Sequence, residues 1–217
     1  MLVREGFDVT EVPVQSNGII DPADVRRVLR PDTMLVSTIY ANNEIGTIQP
    51  IKEIAKAIHS YTLSAISRKL FFHTDACQAA GFLDINVQNL GVDLMTLNGS
   101  KIYGPKGTGC LFVRRGVRIQ PMILGGDQER GLRAGTENIV LAAGFAKALE
   151  LACPSEPWRR RADIERLTKL RDYLIERILV EISNSHLNGD PIKRLPNNIN
   201  ISFGNIDGEM LMLALDL

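Results

Sequence analysis

Three short runs set the architecture. They are "TMLVSTIY" (33–40), "KLFFHTDA" (69–76) and "VDLMTL" (92–97), each strongly apolar and rich in strand-forming residues. A run of this length with little polar alternation reads as a strand buried on both sides. Between the first two lies "IKEIAKAIHSYTLSAIS", with Ile51, Ile54, Ala55 and Ile58 at helical spacing. Ahead of them, "DPADVRRVL" reads as a short helix with Asp21 as N-cap and Pro22 at its first position. A fourth strand, "GCLFVRR", follows a glycine-rich turn. Buried strands alternating with helices predict an α/β fold: a mainly parallel sheet with helices on both faces.

Downstream the pattern changes. "TENIVLAAGFAKALELA" predicts a helix opened by Thr136, with Glu137 in its first turn. "CPSEPW" reads as a joint, and "RRRADIERLTKLRDYLIERILVEI" as a long amphipathic helix whose arginine run is a solvated face. "NNINISF" is a further strand and "DGEMLMLALDL" starts another helix. The expected division is residues 1–152 as part of a large domain and 153–217 as the start of a small C-terminal α/β domain.

Lys+Arg and Asp+Glu are equal at 25 each, so no charge excess points to a nucleic acid or a membrane surface. No apolar stretch approaches the ~20 residues of a membrane span. The start "MLVREGFDV" is neither a signal peptide nor a transit peptide, which favours the cytoplasm; an organellar location stays open if the true N-terminus lies upstream. Cys77, Cys110 and Cys153 are widely spaced and odd in number, so they read as reduced, mostly buried thiols and not as metal ligands.

In open α/β sheets, ligands bind at the carboxyl ends of strands. Four such ends carry chemistry: Asn42, Asn43 and Glu44; Asp75 and Gln78; Asn98, Ser100 and Lys101; and the loop "GGDQERGLRAGT" with Arg130, Arg133 and Thr136. The expectation is that all four share one edge. "GSKIYGPKG" lacks the GK[ST] ending of a P-loop, and "GTGCLF" lacks the third glycine of a dinucleotide fingerprint. "HTD" supplies at most two metal ligands, and His73 reads as a packed or hydrogen-bonded strand residue. One cofactor fits the set on chemical grounds. Pyridoxal phosphate (PLP) needs a lysine for its Schiff base, an acidic partner for its ring nitrogen and donors for its phosphate. Lys101 and Asp75 are the lysine and the acid; a freed Lys101 amine would also move the substrate's Cα proton. Tyr103 and Pro105 are expected to stiffen the turn.

The stretches "ANNEIGTIQPI", "HTDACQAAG", "VDLMTLNGSKIYGPKGTGCLFVRR", "GGDQERGLRAGTEN" and "LPNNINISF" resemble, in order, the cysteine desulfurases of the NifS/IscS type. These are class V aminotransferase-group, fold-type I PLP enzymes. The resemblance implies Lys101 as the Schiff-base lysine and Asp75 as the ring-nitrogen partner. It implies Gln78 at the ring hydroxyl and Asn43 as a cofactor and substrate contact. Thr136 would reach the phosphate of a neighbouring subunit's cofactor, hence a homodimer. The implied reaction takes L-cysteine to L-alanine and passes sulfur, as a persulfide on a mobile cysteine, to an acceptor protein for iron–sulfur or thiocofactor assembly. A selenocysteine lyase or another class V PLP enzyme is an alternative, as is a non-catalytic dimerising remnant.

Two departures accompany the resemblance. Asn98 and Ser100 stand where the family has a serine and a histidine that bind phosphate; both retain hydrogen-bond donors, but the possible charge is lost. The family also has about a hundred residues upstream, a domain-scale segment, and continues downstream into the loop of the sulfur-carrying cysteine, which none of Cys77, Cys110 and Cys153 matches. The expectation is a fragment lacking both ends and inactive by itself.

Overall fold

The computed structural model describes residues 2–65, 70–153 and 157–216. Pro154, Ser155 and Glu156 of the expected joint lie outside the described residues, as do residues 66–69. Four strands, β1 (Leu35–Ile39), β2 (Phe71–Asp75), β3 (Leu94–Asn98) and β4 (Gly109–Val113), form one sheet in the order β1-β2-β3-β4. β1, β2 and β3 run parallel, and β4 is antiparallel to β3. The fold is thus α/β with a mainly parallel sheet.

One face of the sheet carries the core. Phe72 and Thr74 of β2 and Met95 and Leu97 of β3 point to it, following the period-two alternation of strands. Against them pack α1 (Pro22–Val28), α2 (Ile51–Ala65), α3 (Val87–Leu90) and α4 (Ile139–Ala152), through Val25, Ile54, Ile58, Leu90 and Phe145. Asp21 caps α1 as expected, its Oδ1 accepting from Ala23 N at 2.8 Å. The helix expected to open at Thr136 begins at Ile139 instead. Asn138 is its cap, accepting from Leu141 N at 3.1 Å, and Thr136 stays outside on the preceding loop.

The opposite face holds Leu35, Ser37 and Ile39 of β1, Phe71, His73 and Asp75 of β2, Leu94, Thr96 and Asn98 of β3, and Leu111 and Val113 of β4. Leu35 is 49% exposed and Leu111 47% on the edge strands of this face, whereas Leu94 between them is buried. β1 reads as a buried strand in the sequence but is an edge strand whose alternate residues face outward.

The remainder comprises α5 (Pro157–Glu181), the antiparallel pair β5 (Ser185–Leu187) and β6 (Ile201–Phe203), and α6 (Gly208–Leu215), capped by Asp207. α5 packs on β5. Buried Arg171 of α5 donates to the carbonyls of Arg194 and Leu195, each at 3.0 Å, tying the helix to the strand connection. Arg161, Arg166 and Arg177 of α5 make intrahelical ion pairs with exposed acids.

Candidate active site at the strand ends

Because β1, β2 and β3 are parallel, their carboxyl ends line one edge. Tyr40 N donates to Asp75 O at 2.8 Å and Ala76 N to Thr96 O at 2.9 Å, so the three exits stay in step. Asp75 is the last residue of β2, between its neighbours. The turn after it is folded back: Asp75 Oδ1 accepts from Cys77 N at 2.9 Å, and Cys77 Sγ approaches Thr96 O at 3.8 Å. Gln78 follows in the same turn, half-buried. Among the described residues no cation pairs with Asp75.

Lys101 lies on a single 3₁₀ turn, Gly99–Ile102, that leaves the end of β3. The turn is held on every side. Asn98 Oδ1 accepts from Ser100 N at 2.9 Å and from Ser100 Oγ at 2.7 Å. Gly99 N donates to Thr108 O at 3.0 Å, and Gly104 N donates to Gly99 O at 2.8 Å. Tyr103 takes the left-handed conformation (φ 61°) that lets its own N–H turn back to Gly99 O. Ile102 is buried against the core, whereas Lys101 itself is exposed. No hydrogen bond or ion pair holds its amine among the described residues.

Cys77 reports how these groups sit together. Burial pushes its thiol up to about 12, with help from the hydrogen bond to and the charge of Asp75; nearby Lys101 acts in the opposite sense. The acid and the amine therefore both lie within electrostatic reach of one sulfur atom. At neutral pH that sulfur is a protonated thiol, which is not a nucleophile.

Behind Asp75 on the same face, His73 bridges three strands. Its Nδ1 is 2.8 Å from Ser37 Oγ and its Nε2 is 2.9 Å from Thr96 Oγ1. Burial lowers the imidazole's pKa and the Asp75 charge partly offsets this. His73 is thus a hydrogen-bonded strand residue, and no group of three or more metal-ligating side chains exists among the described residues.

The asparagine pair divides its labour. Asn42 Oδ1 accepts from Glu44 N (2.8 Å) and Ile45 N (2.9 Å), so it shapes the turn. Asn43 makes no side-chain hydrogen bond among the described residues.

Two expectations need correction. The loop "GGDQERGLRAGT" does not share the edge by virtue of its strand. β4 is antiparallel, so Val113 sits beside Leu94 at the far edge, where Arg114 N bonds Asp93 O and its guanidinium pairs with Asp93 at 3.3 Å. The chain then returns, bringing Glu129 near enough to Cys110 to raise its pKa, after burial. Thr136 is exposed and no hydrogen bond links it to the other candidates among the described residues. The cysteines are also less enclosed than expected: Cys110 is exposed, and Cys77 and Cys153 are half-buried. β4 is the second edge strand, which explains Cys110.

The structure therefore brings Asp75, Gln78, Asn98, Ser100 and Lys101 to adjacent strand exits, with Asn43 on the neighbouring exit loop. Sequence reasoning missed Thr96, which bonds both His73 and the Asp75 turn. A threonine inside an apolar strand gives no local signal of such a role.

Residues 1–217 match the family described as "Aminotransferase class-V". The chain belongs to this class V aminotransferase family. Within it, the chain is 47% identical over 216 residues to the cysteine desulfurase IscS of Dictyoglomus turgidum, covering 100% of this chain and 52% of that protein. It is 43% identical to a cysteine desulfurase of Rattus norvegicus, covering 99% of this chain and 46% of the relative. The chain thus spans about half the length of the curated relatives it matches. A solved structure of a NifS-like protein superimposes with a TM-score of 0.89 at 34% identity, over 99% of this chain and 56% of the other. Another, described as "SspA in complex with cysteine", gives 0.78 at 34% identity, over 100% and 56%. Class V membership accounts for the mainly parallel sheet, whose strand exits carry the candidate residues.

Proposed function

We propose that this chain is the central part of a PLP-dependent cysteine desulfurase, and that Lys101 and Asp75 are its chemical pair. The observation that carries this is the placement at neighbouring strand exits of an amine and a carboxylate, neither in an ion pair among the described residues and both acting on Cys77. A free primary amine and an open acid suit an aldehyde and a protonated ring nitrogen, so the donor set fits the cofactor.

When bound, PLP supplies an electron sink for carbanion chemistry at the substrate's Cα. Asp75 holds the proton on the ring nitrogen, and its own orientation comes from Cys77 N. Lys101 would hold the aldehyde, and its amine would move the substrate's Cα proton. Gln78 is assigned to the ring hydroxyl, Asn43 to cofactor and substrate, and Asn98 and Ser100 to the phosphate. Asn98 Oδ1 already serves the Lys101 turn, so its amide N–H groups are what it has to offer. Thr136, exposed and apart, is assigned to the cofactor of the second subunit in a homodimer.

Residues 1–152 belong to the large cofactor-binding domain and 153–217 open the small one. L-cysteine is the substrate, L-alanine the product, and an acceptor protein takes the sulfur, in the cytoplasm. The high thiol pKa argues against Cys77 as the sulfur carrier. The test is incubation with PLP, borohydride treatment and peptide mapping. A pyridoxyl group on Lys101, absent in Lys101→Ala, is expected. Random labelling of surface lysines with no preference for Lys101 overturns the proposal.

A further inference from the structure

The loop that presents Asn43 closes on itself, with Asn42 N donating to Thr47 O at 2.9 Å and Gly46 N to Asn42 O at 3.1 Å, and it is held from outside as well. Its carbonyls are bonded almost one by one by a segment about 150 residues further along the chain. Asn198 Nδ2 donates to Glu44 O at 2.9 Å and lies 3.4 Å from Asn43 O. Asn200 Nδ2 donates to Glu44 O at 3.2 Å. Arg194, 3% exposed, donates to Ile45 O at 2.7 Å, and Leu195 N donates to Gly46 O at 2.9 Å.

Asn198 lies at the centre of this contact, next to both Asn43 O and Glu44 O. Both nearby carbonyls are acceptors, so its NH₂ must face them, and its Oδ1 is left buried with no donor among the described residues. That oxygen carries a desolvation cost, which the two contacts to the loop must offset. The loop in turn leaves room for it: Gly46 sits at φ +72°, and a Cβ there would overlap Asn198 Oδ1. The fit between Gly46 and Asn198 is thus mutual.

We propose that Asn198 is a positioning residue that fixes the 42–47 loop and thereby the direction in which Asn43 offers its amide to the cofactor and substrate. The C-terminal segment acts on the site through backbone carbonyls, without touching a ligand. The assignment of Asn43 rests on the proposed function above; the clamp itself does not.

The test uses the whole chain with Asn198→Ala and Asn198→Asp, the latter keeping size but lacking the donor. Hydrogen exchange read by mass spectrometry is expected to quicken roughly fivefold in the peptide spanning residues 42–48, the scale of one lost hydrogen bond. Peptides from β2 and α2 should be unchanged. PLP affinity should fall by a similar factor in the parent background and not fall further in Asn43→Ala. Unchanged exchange in residues 42–48, or an equal rise across all peptides, overturns the positioning role. An equal further loss of affinity in Asn43→Ala overturns its route through Asn43. A parent chain that takes up no PLP defeats the proposed function instead, and the exchange measurement still decides the clamp.

Discussion

Gly99→Ala is the most direct way to disturb the turn that presents Lys101. The added Cβ would overlap Thr108 Oγ1 and lie 3.1 Å from both Phe145 Cδ2 and Pro105 O. None of the three yields easily. Phe145 is 9% exposed within the core, Pro105 O is backbone, and Thr108 Oγ1 is itself bonded to Pro105 O at 2.7 Å. Overpacking of this kind costs about 1–3 kcal/mol. A central value of about 2 kcal/mol lowers Tm by about 4–8 °C in a chain of this size. Differential scanning calorimetry reads the loss, and borohydride mapping after PLP treatment reads Lys101. Both should fall together, because Gly99 N and O also carry the bonds that close the turn. Removing the worst overlap with Thr108→Ala should recover part of the loss, so the double variant falls by less than the sum of the singles. A Tm within about 1 °C of the parent, with undiminished labelling of Lys101, would refute the steric argument.

Other consequences follow from groups around the same edge. Cys77 should react slowly with iodoacetamide at pH 8, and Asp75→Asn should speed it by about tenfold per pH unit that its pKa falls, because the acid's charge and hydrogen bond help raise it; a slower rate in Asp75→Asn, read by mass spectrometry, contradicts this. Its thiol holds its proton to about 12 in the folded chain but only to about 9 when unfolded, so its contribution to stability is full below the lower value and lost as pH rises through the upper one. Cys77→Ala should therefore flatten the alkaline decline in Tm, and an unaltered decline would oppose that assignment. Phe72→Ala, at a side chain 1% exposed in the centre of the core, should cost about 3–5 kcal/mol by urea denaturation; a loss below about 1 kcal/mol would mean the site collapses without a cavity.

Much of the element order was legible because it rests on short-range patterns. Asp21–Pro22 marks a helix start by local capping, Ile51, Ile54 and Ile58 mark a face by spacing, and Asp75 and Lys101 stand just beyond apolar runs. Their placement at strand exits required only that the strands be parallel. What the sequence did not show was which segment closes over which loop. β4 follows β3 by a short connection without a crossover helix, which suits its antiparallel return and sends the arginine loop off from the far edge. Nothing in "ANNEIGT" separates the turn-forming Asn42 from Asn43, or foretells Asn198 and Arg194 at its carbonyls. The bonds from Asn198 and Arg194 join side chains to carbonyls about 150 residues away, so their partners are chosen by the packing of the folded chain. Local propensity fixes where a strand begins; only the assembled backbone decides what lies beside it.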